Sequence, residues 1–177
     1  MKVAIVVMLS LLLTLALVPE FGRYAGERHL YRATAVFRLM LQERAAENRS
    51  TLFEVAASSA DAAANGMPGD SRPLILAGSL RLFARQPAEA LAFYQKAFRL
   101  GERPEIDLNL GRAYEMLGDH PSASMAILRA AWVSPAIIGE LPENLKAPVQ
   151  AAIAQDETWL REHRLDAPPS LPPNLLR

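Results

Sequence analysis

The stretch LGRAYEMLGDHPSASMAILRAA, residues 110–131, decides the fold. Gly111, Ala123 and Ala130 stand in it where a buried helix position would ordinarily carry something larger. Its apolar residues recur at helical rather than alternating spacing, and Gly118 with the residues after it reads as a turn. Two helices joined tightly are implied. Helices that cross closely need small side chains at the contact, because a larger one holds the backbones apart. Gly111 and Ala123 mark that contact, and Ala130 repeats on the same face two turns later, where the next element would pack. Tyr114 and Ile127 fill the space beside them. Gly118 suits a left-handed helix cap, and Pro135 can open the next element directly after Ser134.

The pattern recurs upstream. Residues 71–103 and 104–136 align without a gap at a spacing of 33, pairing Gly78 with Gly111, Ala90 with Ala123 and Ala97 with Ala130. Other pairs differ: Leu82 falls on Glu115, and Pro87 falls on His120. The repeat is degenerate, and each unit reads as two antiparallel helices.

Leu110, Gly111, Tyr114, Gly118, Ala123, Ala130 and Pro135 fall on consensus positions of the tetratricopeptide repeat, and this part of the chain resembles that family. Ile127 replaces its usual aromatic. The first unit keeps Leu74, Gly78, Ala90, Tyr94 and Ala97, but carries Ala77, Arg81, Arg85 and Glu102 at other consensus positions. The resemblance covers residues 71–137 and implies an all-α, short solenoid of helical hairpins, built to bind protein rather than to catalyse. It also implies a concave groove lined by Arg72, Ile75, Ser79, Leu82 and Phe83, then by Glu105, Leu108, Arg112, Glu115 and Met116. Such a groove suits a peptide or helix with apolar anchors. The Lys and Asn positions with which chaperone-binding members hold a terminal carboxylate are occupied by Ile75, Ser79, Leu108 and Arg112, so that mode is not expected.

Arrays of this kind need about three units or dedicated caps, so neighbouring helices must complete the core. Leu82, Phe83 and Met116 are therefore either open to a partner or covered by the chain's own N-terminal helices. Residues 24–46 read as a helix with Leu30, Ala33, Phe37, Met40 and Leu41 as its apolar positions. After Asn48, Ser50 or Thr51 can cap a second helix running to about Ala64, with Glu54 completing a capping box. Turn formers occupy residues 65–71. Residues 23–70 thus form a linker and a degenerate helix pair. Residues 138–165 supply a capping helix over 144–163, with Leu145, Val149, Ile153 and Leu160 on one face and Pro148 near its start. The Pro-rich residues 166–177 read as an extended tail.

The N-terminus differs from all this. VAIVVMLSLLLTLALV, residues 3–18, contains no charge. As a helix it rises about 24 Å, a little less than a hydrocarbon core of about 30 Å. Residues 15–19 make a poor cleavage site, so residues 1–22 read as a retained transmembrane signal anchor, the alternative being a cleaved signal that releases a soluble exported adaptor. Arg23, Arg28 and Arg32 lean toward a cytoplasmic body, whereas a very short N-terminus before one apolar run is the usual export arrangement. The expected location is a bacterial inner membrane with the body on the periplasmic side.

Composition limits the chemistry. Lys plus Arg and Asp plus Glu both number 19, so no net field attracts nucleic acid. The absence of Cys excludes disulfides, thiolate zinc sites and a thiol nucleophile. His29, His120 and His163 are scattered without ligand spacing, and Asp156 and Glu157, being adjacent, face different ways on a helix. No cofactor or metal is expected. Gly69-Asp70-Ser71 matches the start of a hydrolase motif, which makes Ser71 the candidate nucleophile of an alternative, enzymatic reading. The main expectation is a non-enzymatic scaffold, assembly factor or accessory subunit of a membrane complex.

Overall fold

The computed structural model describes residues 2–42 and 48–163. Among them there are helices and no strand, which is the all-α class expected. The elements are α1 (Lys2–Gln42), α2 (Arg49–Gly66), α3 (Ser71–Phe83), α4 (Pro87–Leu100), α5 (Pro104–Leu117), α6 (His120–Val133), a 3₁₀ helix (Pro135–Glu140) and α7 (Glu143–His163). They divide into two compact units, residues 1–80 and 81–177. The Pro-rich tail expected at 166–177 lies outside the described residues.

In the first unit α1 and α2 form a hairpin. The apolar run and the amphipathic stretch after it are one helix, about 60 Å long. Apart from Met8 and Thr14, the side chains of residues 3–18 lie outside the description. Among the described residues no helix is long and apolar enough to cross a membrane. α1 buries Gly26, Ala33 and Met40, spaced by seven so that they stay on one face. α2 answers with Ala56, Ala57, Ser59, Ala60 and Ala63. With so little side-chain volume the backbones meet: a Cβ on Gly66 would stand 2.9 Å from the Gly22 carbonyl oxygen and 3.0 Å from the Gly26 Cα. Leu41, expected on the buried stripe, is exposed. The expected capping box is also absent. Asn48 precedes the helix without a side-chain cap bond, and Ser50 and Thr51 already lie inside it. Asp70 instead caps α3, its Oδ1 accepting from the Arg72 amide at 2.9 Å, and the Arg72 guanidinium reaches Glu27 of α1 at 2.6 Å.

In the second unit α4 packs on α5, α5 on α6, and α6 on the 3₁₀ helix and α7. α4 buries Ala90, Tyr94 and Ala97. The close approach expected at Gly111 is present: a Cβ there would come within 2.6 Å of Ile127 Cγ1 and 3.2 Å of the Ala123 carbonyl oxygen. Ala130 shares a core cluster with Leu108, Ile127, Ile137 and Leu141, against which Leu145 and Val149 of α7 pack. Leu145, Val149, Ile153 and Leu160 are all half-buried, the one-faced arrangement their spacing predicts.

The two repeats end their first helices identically. After α5, Gly118 takes the left-handed conformation at φ 77°, with its amide donating to the Glu115 carbonyl and that of Asp119 to Tyr114, both at 3.0 Å. After α3, Arg85 adopts φ 62°; its amide donates to Leu82 at 3.0 Å and that of Gln86 to Arg81 at 2.8 Å. This pair of bonds is the Schellman arrangement. Asp119 then caps α6 by accepting from the Ser122 amide at 3.2 Å. His120 is therefore the first residue of α6 and not part of the turn.

Candidate functional site

The residues expected to line a groove sit on α3 and α5, and the structure treats them unequally. On α3, Arg72 is exposed and engaged with Asp70 and Glu27. Ile75, Ser79, Leu82 and Phe83 are half-buried, and the Ser79 hydroxyl donates to the Ile75 carbonyl at 2.9 Å. On α5, Leu108 is only 3% exposed and belongs to the core cluster with Ile127 and Ile137. Of the groove positions on α5, Arg112, Glu115 and Met116 are exposed, with Glu105 half-buried at its start. Arg112 donates to Asn109 at 3.0 Å, Glu105 pairs with Arg103 at 2.6 Å, and Met116 is left as an apolar surface 40% exposed. Glu115 lies 3.0 Å from His120 Nδ1, and this hydrogen bond holds the imidazole above its ordinary pKa.

The most unusual group of the second unit is one the sequence did not single out. Asp107, one turn into α5, is fully buried, and neither carboxylate oxygen has a hydrogen-bond partner. Arg129 of α6 approaches its Oδ2 to 3.8 Å through Nε. That same Nε donates to Glu102, in the loop between α4 and α5, at 2.5 Å, and the guanidinium lies over the Phe98 ring of α4 at 5.1 Å. Burial pushes the Asp107 carboxyl up to about 7, with Arg129 opposing and Glu102 adding to the rise. A carboxylic acid neutral in part near pH 7 is thus built into the joint of three helices. A signal existed for it: at the repeat spacing Asp107 falls on Leu74, and an acid in register with a leucine marks a buried polar exception.

Ser71 is the half-buried first residue of α3. The open groove beside it, about 490 Å³, is lined by Arg23, Gly66, Met67, Pro68, Gly69 and Asp70. These include no histidine or lysine to serve as a base. The nearest acid, Asp70, is occupied with Arg72 at 2.5 Å. Among the described residues that line this groove, none is placed to activate the serine. Among the described residues no group of acids and histidines could hold a metal ion. Compared with known proteins, the chain matches no family model and no curated protein.

Proposed function

We propose that this chain is a membrane-anchored helical-repeat scaffold that holds other proteins, as an assembly factor or accessory subunit of a bacterial inner-membrane complex with its body on the periplasmic side. The observation that carries this reading is the repeated helix ending: α3 and α5, at a spacing of 33 residues, end in the same pair of capping bonds. Helical hairpins in series present the outer faces of their first helices to partners. On α5 that face offers Met116 flanked by Arg112 and Glu115, an apolar anchor with charges of both signs around it. A partner helix or peptide with one apolar side chain and mixed charges complements it. The uncharged residues 3–18 support an anchor, which confines the scaffold beside its partner and raises their effective concentration.

Affinity purification of the intact chain from its native membrane in mild detergent, with mass spectrometry of the retained proteins and of this chain's own N-terminus, tests the reading. The expected result is an intact N-terminus with a constant set of membrane proteins. A shortened chain recovered in the soluble fraction would replace the anchored scaffold with an exported adaptor, and an intact chain that retains nothing would remove the scaffold itself.

A further inference from the structure

Two carboxylates compete for one guanidinium at the joint between α4, α5 and α6. Arg129 Nε is hydrogen-bonded to Glu102 and stands 3.8 Å from Asp107 Oδ2, while Arg129 Nη1 is buried without a partner. Asp107 has two unsatisfied oxygens and no exposure; Glu102 has 37% of its side chain in solvent. Ionised, a buried carboxylate without a hydrogen bond is strongly unfavourable, and the guanidinium that could satisfy it, at 3.8 Å, is about half an ångström beyond bonding range. Neutral, the same group makes no such demand.

We infer that Asp107, Arg129 and Glu102 form a proton-operated latch on the joint between α4 and α5. With Asp107 protonated, Arg129 holds Glu102 and so pins the loop of residues 101–103 to α6. When the Asp107 O–H bond breaks and its proton leaves to water, the anion draws the Arg129 guanidinium onto itself. Glu102 is released into solvent, where its charge is well hydrated, and the loop loses its tie to α6. No covalent bond other than that O–H changes.

The surroundings make the exchange a local one. The charges that act on Asp107 are Arg129 from α6 and Glu102 from the loop. α4 contributes the Phe98 ring beneath the guanidinium. The 3₁₀ helix and α7 bring Ile137, Leu141, Leu145 and Val149 to the core beside Leu108, all of them apolar. At the start of α5, Arg103 of the loop and Glu105 are occupied with each other. His120, whose imidazole the Glu115 hydrogen bond holds above its ordinary pKa, lies at the opposite end of α5.

Two measurements on the full chain in detergent test the latch: the carboxyl carbon resonance of Asp107, and amide hydrogen exchange at Gly101, Glu102 and Arg103 corrected for intrinsic rates. Both run from about pH 5 to about pH 9. The expected result is that Asp107 titrates near neutrality and that exchange in the loop rises about tenfold across the same midpoint. Asp107→Asn should hold the loop at its low-pH rate throughout. Glu102→Gln, a change at a partly exposed side chain, removes the competing anion and should lower the Asp107 midpoint by about one pH unit. Loop exchange that stays flat through the Asp107 titration would overturn the latch, as would an Asp107→Asn chain with the wild-type profile. Should Asp107→Asn not fold, Glu102→Gln decides alone: an unmoved or raised midpoint rejects the competition on which the latch depends.

Discussion

Gly66 and Gly111 meet the same requirement in different surroundings, and the difference sets what a single added methyl does. At Gly111 the nearest atom to a new Cβ is a side-chain carbon of Ile127, whereas at Gly66 the nearest atoms are backbone of α1. Side chains yield more readily than backbone. Gly111→Ala gains about 1 kcal/mol of helix propensity against about 1–3 kcal/mol of overpacking, so a modest net loss is expected. Gly66→Ala is expected to lose more, and thermal melts of the two variants give the order. Arg85 is the reverse case. It holds a left-handed conformation in which a side chain costs about 1–2 kcal/mol, so Arg85→Gly should stabilise by about 0.5–1 kcal/mol once the greater freedom of glycine in the unfolded chain is subtracted. Asp107 adds a pH dependence of definite sign. Its folded pKa, about 7, lies above the ordinary carboxyl value of 3.8, so between these limits the folded state binds more protons and stability falls as pH rises. A shift of that size corresponds to an upper bound of about 4 kcal/mol. Asp107→Leu, which copies Leu74, should remove this slope and melt at a higher temperature than wild type at about pH 8.

At the scale of the element, α7 is a cap and behaves as one. It covers Ile137 and Leu141 with Leu145 and Val149, and half-buried aliphatic side chains contribute less than the 1.5–3 kcal/mol or so of full burial. Leu145→Ala and Val149→Ala are each expected to cost about 1 kcal/mol, and urea titration should show their effects adding only in part, since both side chains pack on one cluster. Most of these helices were legible because apolar periodicity and turn chemistry agreed, as at Gly118 and in the face from Leu145 to Leu160. The α1–α2 hairpin was less legible. Its contact is made of Gly26, Ala33, Ala56, Ala60 and Ala63, and residues so small carry little hydropathic contrast between faces. The Thr51–Glu54 capping box failed because α2 begins at Arg49, which puts Ser50 and Thr51 inside the helix. The register with Leu74 marked Asp107 as an exception, but not its joint: Arg129 lies on the next helix, and periodicity within one segment says nothing about ion pairs between segments.

For the whole molecule, the decisive question is whether the face of α5 is a binding surface or merely the outside of a core, and Leu108 and Met116 separate the two. They were expected to line one groove, yet Leu108 is buried and Met116 is 40% exposed. Leu108→Ala removes buried side chain and should cost about 2–5 kcal/mol, so any loss of partners it causes follows from unfolding. Met116→Ala should change stability by no more than about 0.5 kcal/mol, as an exposed substitution away from special geometry. If a partner seats an apolar anchor against Met116, this variant loses the co-purifying proteins while its melting temperature stays at the wild-type value. Arg112→Glu, at an exposed position on the same helix, should then also weaken retention, more so at low ionic strength where the mixed charges are least screened. Full retention of the same proteins by both variants would move the contact off α5. The anchor residues 3–18, acting without the repeats, would then be the part of the chain through which partners are held.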